Sequence, residues 1–329
     1  MYKVYIRCYT YNHAQFIEDA MNGFVMQETD FPYVATIVDD ASTDETPQVI
    51  TSYFERCFDT DDSSVAFREE TEYGTVLFAR HKTNPNCFFA VVLLNENHHK
   101  KKSKRPYLTR WTNDVPYVAL CEGDDYWTDS KKLQKQVDYL DNHPKCSLCV
   151  HSCNWLIGEE IQQSGCHWAF TKDMEVEEII SVGGWSFATA SFVFRSELNN
   201  VSPAWKKRAS VGDYPLQILC GLHGYVHYLP DVMGVYRFQH EGSWSYRQRQ
   251  KDVSVSFHKN RIEWMAMLDD ATDHKYQKVI YDQLFKSYNA LFNYREIGFG
   301  EYAKAVCKSG EKRYGRLMKD FLLRILKKK

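Results

Sequence analysis

Short apolar runs, each closed by polar or acidic residues, punctuate this chain and predict strands that end abruptly. Lys3-Val4-Tyr5-Ile6-Arg7-Cys8-Tyr9-Thr10 predicts a first strand. Tyr33-Val34-Ala35-Thr36-Ile37-Val38 predicts a second, ending at Asp39. A third run, Val115-Pro116-Tyr117-Val118-Ala119-Leu120-Cys121, opens directly onto Glu122-Gly123-Asp124-Asp125-Tyr126-Trp127. Between the first two runs the apolar spacing becomes helical: Phe16, Ile17, Ala20, Phe24 and Val25 predict a helix from Asn12 to about Gln27. The next helix is predicted to start with Thr46 as its cap and Pro47 at the first helical position, where its missing N–H costs nothing. Ser42 and Glu45 also have capping-box spacing, so two starts are compatible with the residues.

Further along, Leu133, Val137 and Leu140 line one face of a helix predicted over Lys131 to Asn142. Cys146 to Trp155 alternates as a strand, Asp213 to Cys220 reads as a helix, and Gly224 to Phe238 as an extended pair. The acidic stretch Asp59 to Glu72 reads as an irregular solvated connection, and from Asp252 onward the signal is helical. There are no internal repeats. Strands and helices in this arrangement predict an α/β fold.

Composition narrows the class. A chain of 329 residues can bury a full core and carry an appendage. A formal net charge of -2 lacks the extended basic footprint of a nucleic-acid binder. No apolar run approaches the roughly 18 residues of a membrane span. The chain starts straight into a strand without a signal peptide, and its ten cysteines show no framework spacing, so reduced thiols in a cytoplasm are expected. Cys146-x-x-Cys149-x-x-x-Cys153 with His151 has no second knuckle, and a strand is the better reading than a zinc site.

The candidate chemistry is carboxylate chemistry. Glu122, Asp124 and Asp125 lie within four residues at the end of a buried strand, where they repel one another unless a cation sits between them. Asp39 and Asp40 open a second acidic loop, Asp39 to Asp44, at the carboxyl end of a strand, where open α/β sheets bind ligands. The basic run His98-His99-Lys100-Lys101-Lys102-Ser103-Lys104-Arg105 reads as a solvated loop or as contacts with an anionic substrate. At the end of the chain, Leu317, Phe321, Leu322, Ile325 and Leu326 can share one helix face opposite lysines and arginines. That pattern suits an anionic membrane interface or docking onto the rest of the protein.

Several of these pieces occur together in a recognisable order. They are Thr10-Tyr11-Asn12, Val38-Asp39-Asp40-Ala41-Ser42-Thr43-Asp44, Glu122-Gly123-Asp124-Asp125-Tyr126-Trp127 and Leu133-Gln134-Lys135-Gln136. Thr189 to Arg195, Gly212-Asp213 and Tyr236-Arg237 with His240-Glu241-Gly242-Ser243 follow. With this set the chain resembles the inverting family 2 glycosyltransferases of the GT-A fold, of the bacterial polysaccharide and lipopolysaccharide type.

The resemblance implies a Rossmann-like mixed sheet over residues 1–245 and a helical extension over 246–329. It implies a nucleotide-sugar donor, most of all a UDP-sugar, a glycan or lipid-linked acceptor, and Mn²⁺ or Mg²⁺ as cofactor. Residue by residue, it implies that Thr10, Asp39, Asp40 and Asp124 contact the nucleotide, Asp40 matching the base-contacting position better than Asp39. Asp125 and Asp124 become metal ligands, with Glu122 and His240 as further candidates. Glu122 departs from the pattern, which has Asp there. Asp213 becomes the catalytic base, and Trp168 and Trp185 fall where acceptor loops lie. Each residue also has a plainer alternative, as a turn cap, a helix N-terminal acid or a core side chain. The expected location is cytoplasmic, with peripheral contact at the inner membrane face. A sugar-phosphate nucleotidyltransferase would need a glycine-rich loop after the first strand, where Thr10-Tyr11-Asn12-His13-Ala14-Gln15 stands instead. A catalytically inactive glycan-binding relative would not need both Asp125 and Asp213.

Overall fold

The computed structural model describes residues 1–99, 101–163 and 168–308. The basic amphipathic segment 312–329 and Lys100 of the basic run lie outside the described residues. In chain order the strands are Val4–Thr10 (β1), Tyr33–Asp39 (β2), Phe58–Asp59 (β3), Phe67–Thr71 (β4), Gly74–His81 (β5), Cys87–Leu94 (β6), Tyr117–Leu120 (β7), Tyr126–Trp127 (β8), Cys146–Ile157 (β9), Glu160–Gln163 (β10), Lys172–Met174 (β11), Val193–Arg195 (β12) and Tyr225–Arg237 (β13). They form one mixed sheet with the order β11-β13-β9-β12-β7-β1-β2-β6-β5-β3. The helices are Ile17–Val25 (α1), Thr46–Cys57 (α2), Thr109–Thr112 (α3), Lys132–Asn142 (α4), Val176–Val182 (α5), Ala204–Arg208 (α6), Asp213–His223 (α7), Trp244–Arg247 (α8), Lys251–Ala271 (α9), Gln277–Asn293 (α10) and Phe299–Lys308 (α11). The fold is therefore a large mixed α/β sheet flanked by helices, as the sequence predicts.

Four central strands, β7, β1, β2 and β6, are parallel neighbours. Parallel strands are covered on both faces, which is why they read as apolar runs and not as alternation. Every residue of β2 is buried. On one face Ile6 and Cys8 pack with Phe24 of α1, Leu133 and Val137 of α4, and Trp127. Each such side chain, taken from water, contributes roughly 1.5–3 kcal/mol. Trp127 meets the Phe24 ring edge-on at 5.0 Å and donates its Nε1–H to the Ala190 carbonyl at 2.8 Å. A Cβ on Gly23 would lie 2.9 Å from the Trp127 backbone nitrogen, so only glycine lets α1 approach this closely.

The chain divides into two compact units. One comprises Met1–Asp173, Ser186–Asn200 and His223–Phe238 and holds the sheet. The other comprises Met174–Trp185, Val201–Leu222 and the described residues from Gln239 onward, and is helical. Within it Trp264 packs against Trp205 and Tyr214, and Phe292 stacks on Tyr302 at 4.3 Å. No helix among the described residues is long and apolar enough to cross a membrane.

Four predicted elements differ from what the sequence suggests. The first helix begins at Ile17, because Asn12 adopts φ 56° and residues 13–16 form a turn. The acidic stretch 59–72 is partly ordered: β4 pairs antiparallel with β5, its charged side chains facing solvent as an edge strand allows. Residues 225–237 are one long strand, not a pair, with register shifts against β9 that absorb Pro230, Asp231 and Met233. The basic run is not a plain solvated loop, since His98 is 2% exposed.

Candidate active site

Because β2, β1 and β7 are parallel neighbours, their carboxyl ends emerge at one edge of the sheet. The loops after β1 and β2 are stitched together by side chains that the motif residues supply. Asn12 accepts the Thr43 N–H at Oδ1, 2.8 Å away, and its own N–H donates to Ser42 Oγ at 2.9 Å. The His13 N–H donates to Thr46 Oγ1 at 2.8 Å, and the Ala14 N–H to Asp44 Oδ2 at 3.1 Å. Ala41 also adopts a positive φ, 57°, tightening the second loop. Thr46 is the first residue of α2 and not its cap: Glu45 occupies the cap position, Pro47 follows in the first turn, and the Thr46 hydroxyl serves the neighbouring loop.

The turn after β7 continues the sheet register for two more residues. The Cys121 N–H donates to the Arg7 carbonyl at 3.2 Å, and the Gly123 N–H to the Tyr9 carbonyl at 3.0 Å. A Cβ at Gly123 would sit 2.6 Å from Thr10 Oγ1, so glycine separates the acidic residues because Thr10 packs against the backbone there. The Thr10 hydroxyl is buried and has no hydrogen-bond partner among the described residues. Thr10 thus joins the acidic turn from beneath.

Asp125 is 2% exposed, and its Oδ1 accepts the Arg237 backbone N–H at 2.9 Å. Burial holds its carboxyl well above the usual range, and Asp124 beside it adds to the rise. Asp124 lies with His13 Nε2 3.9 Å from its Oδ2, and its backbone carbonyl accepts from the Arg237 guanidinium at 2.8 Å. Burial also pushes the Glu122 carboxyl up to about 7, opposed by Arg7 and Lys104 and reinforced by Asp124.

The acidic pair after β2 has partners of its own. Asp39 accepts the Ser42 N–H at 3.0 Å and the Ser42 hydroxyl, closing its own loop. Burial raises its carboxyl. Asp40 accepts the His98 N–H at 2.7 Å and pairs with Lys104 Nζ at 2.7 Å. The basic run therefore neutralises a buried carboxylate. The identities of its partners could not be read from a charge run, and neither could the role of Arg237 behind Asp124 and Asp125.

The remaining predicted residues are placed as follows. Trp168, in the sheet unit, is half-buried and meets Tyr228 edge-on at 5.1 Å, with Phe187 at 6.1 Å. Asp213, Trp185 and His240 belong to the helical unit. Asp213 is the first residue of α7; burial raises its carboxyl, while the backbone amides of the first turn and Arg261 oppose the rise. Trp185 is 46% exposed and lies 5.4 Å from the Trp244 ring, an aromatic partner without a sequence signal. His240 Nδ1 lies 2.9 Å from the Glu241 carbonyl in the turn before α8. Tyr126 is half-buried beneath the Arg237 guanidinium, and Trp127 is core. Cys146, Cys149 and Cys153 are buried along β9 as free thiols.

The acidic turn fits a hard divalent cation. Its donors are all carboxylate oxygens, and Asp124 adds to the raised proton affinity of Asp125, a strain that a cation relieves. Glu122, Asp124 and Asp125 do not converge as a three-ligand cage. Among the described residues the trio whose ligand atoms all lie within 4.8 Å of one another is Asp269, Asp270 and His274, at the end of α9. Two carboxylates, completed by ligand phosphates and water, are the usual arrangement for Mg²⁺.

No protein-family model matches the chain. Uncharacterized proteins of Mycobacterium bovis and Mycobacterium tuberculosis are 29% identical to it over 298 residues, covering 88% of this chain and 73% of theirs. S. aureus TarS residues 1–349, solved in complex with UDP-GlcNAc, superposes with a TM-score of 0.58 at 17% identity, over 92% of this chain and 79% of that one. The same protein in complex with UDP gives a TM-score of 0.57 at 15% identity, over 93% and 80%. These likenesses establish a shared fold.

Proposed function

We propose that this chain is a metal-dependent, inverting glycosyltransferase that moves a sugar from a nucleotide-sugar to a glycan or lipid-linked acceptor in cell-surface polysaccharide synthesis. The observation that carries this reading is the meeting of the 10–14, 39–46 and 121–125 loops at the carboxyl edge of β2, β1 and β7. Each loop holds one of the motifs from which the resemblance was drawn. TarS shares the fold and binds UDP-GlcNAc and UDP, which supports a UDP-sugar as donor.

In this reading the acidic loop after β2 receives the base, with Tyr11, 43% exposed at the end of β1, offering its ring for stacking. Asp124 and Asp125 would hold Mn²⁺ or Mg²⁺, which when bound stabilises the charge that gathers on the departing diphosphate. Asp213 takes the proton of the acceptor hydroxyl while its oxygen bonds to the anomeric carbon and the carbon–diphosphate bond breaks. A carboxyl raised by burial suits that task near neutral pH. Trp168 and Trp185 remain the candidates for the acceptor's sugar faces, with Trp244 beside Trp185. The basic amphipathic pattern of residues 312–329 supports a peripheral contact with anionic membrane.

The test is calorimetry and thermal shift with UDP and UDP-sugars, in Mn²⁺ and in EDTA, since specific binding stabilises by mass action. UDP should bind more tightly with Mn²⁺, and Asp125→Asn should remove the difference. Equal UDP affinity in Mn²⁺ and EDTA overturns the metal dependence. Failure of every nucleotide-sugar to bind or to be hydrolysed overturns the transferase.

A further inference from the structure

Tyr5, Arg7 and Tyr9 alternate along β1 and so share the face of the sheet opposite Val4, Ile6 and Cys8. On that face they line a cavity of about 430 Å³ with the 3₁₀ turn Arg105–Leu108, α3 and the turn Ser196–Asn199. None of Thr10, Asp39, Asp40, Asp124 and Asp125 lines it.

Two guanidinium groups enter this one cavity. Asn199 gathers them: its Oδ1 accepts from Arg7 Nη1 at 3.1 Å, its carbonyl accepts from Arg105, and its amide donates to the Tyr5 hydroxyl at 2.6 Å. Arg105 also reaches Asn200 Oδ1 at 3.4 Å. Every one of these partners is neutral. Among the described residues neither Arg7 nor Arg105 has a carboxylate oxygen within 4.0 Å. The Arg7 Nε–H is buried with no acceptor among the described residues. A buried, charged donor left without an acceptor is costly, and an incoming anion removes that cost. Glu122, in the turn after the neighbouring strand β7, supplies only a field. Asp114 and Glu197 are exposed lining residues that pair with neither arginine.

We infer that this cavity is a binding site for a phosphorylated saccharide, with Arg7 and Arg105 clamping the phosphate. Two fork-shaped, permanently charged donors suit a tetrahedral oxyanion better than any neutral ligand. The volume lies in the range of small-molecule sites, larger than a bare phosphate needs. The exposed Asn113, Asp114, Glu197 and Asn200 provide the mixed donors and acceptors that sugar hydroxyls require. The inference does not rest on the donor reading, because the two sites share none of the residues assigned to the nucleotide or the metal. The phosphate could come from a free sugar phosphate or from a diester within a glycan chain, and the two differ in whether a second ester is tolerated.

The experiment is titration calorimetry of the full chain in EDTA, where binding at the acidic turn is weakened, with glucose 6-phosphate, its methyl phosphodiester, inorganic phosphate and glucose. Glucose 6-phosphate should bind and glucose should not. Equal binding of the diester identifies chain phosphates as the source, and its loss identifies a free monoester. Arg105→Gln, at the more exposed of the two positions, should weaken binding by about tenfold or more without moving the melting temperature. Lys101→Gln, which removes a charge outside the cavity, should leave binding unchanged. Arg7→Gln should match Arg105→Gln if it folds, and Arg105→Gln decides the matter if it does not. Undiminished binding by Arg105→Gln, an equal loss with Lys101→Gln, or no binding of glucose 6-phosphate by the unaltered protein overturns the assignment.

Discussion

The backbone N–H of Arg237 donates to Asp125 Oδ1 at 2.9 Å, joining residues 112 positions apart in the chain. The same residue's guanidinium donates to the Asp124 carbonyl at 2.8 Å and pairs with Asp19. The last residue of β13 therefore fixes the acidic turn twice, once through its main chain and once through its side chain. The pairing of β8 with β13 at Gly234 and Val235 sets the distance at which this is done.

Replacing the Arg237 side chain should loosen the acidic turn while leaving the main-chain bond in place. Arg237→Ala is expected to cost about 2 kcal/mol, because the part-buried Asp124 carbonyl and the half-exposed Asp19 both lose the guanidinium. Arg237→Lys should recover only part of this, since an ammonium lacks the fork that serves both acceptors. Urea unfolding of the three proteins checks the order; equal stability of Arg237→Ala and the unaltered protein would show that the turn holds itself.

The Lys104–Asp40 pair should behave as a buried ion pair. Lys104→Ala leaves a buried carboxylate with one amide donor and should destabilise by about 3 kcal/mol. The double variant Lys104→Ala with Asp40→Asn should lose less than the sum of the two single changes. A double-mutant cycle measures that coupling, and a value near zero would mean that Lys104 is merely adjacent.

Lys132 gives the stability a pH dependence of known sign. Its amine is fully buried, donates to Gln136 Oε1 at 2.8 Å and lies 4.0 Å from the centre of the Trp127 ring. Burial lowers it to about 7, against about 10.4 in an unfolded chain. Between these values the unfolded chain binds the extra proton, so stability should rise with pH across that window, and the penalty is fully present below it. Lys132→Met should flatten the rise. Unfolding free energies at pH 7 and pH 9 measure this, and an unchanged difference in the variant would assign the pH dependence to another group.

Asp213→Asn keeps the shape of the proposed base but cannot take a proton. Turnover should fall by about 10²–10⁴-fold with donor affinity nearly unchanged, because the lost interaction belongs to the transition state. A base must be ionised to act, so kcat/KM should fall with acid through a midpoint above the ordinary aspartate value of about 3.9, in the direction of its raised carboxyl. Turnover in Asp213→Asn within about tenfold of the unaltered protein would assign the proton to another group.

The ends of the central strands could be read from the residues alone. Continuous apolar runs can be satisfied only by burial on both faces, so β1, β2 and β7 were legible, and so were the carboxylates set at their carboxyl ends. Helix faces were legible for the same reason: Leu133, Val137 and Leu140 recur with the helical period and are all buried. These signals are local, and each is written within one element.

What the tertiary structure decided was which charge meets which. Nothing local says that Lys104 would neutralise Asp40, that Arg237 would hold the turn at Asp124 and Asp125, or that Arg7 and Arg105 would share a cavity. Electrostatic partners are chosen by distance in space, and sequence separation carries no information about it. The edge strand β4 escaped notice for a related reason: an edge needs no apolar alternation when its partner β5 supplies the hydrogen bonds. The chain thus announces its acidic residues on its own, while the packing of the sheet decides which of them are paired within the protein and which are left for a ligand.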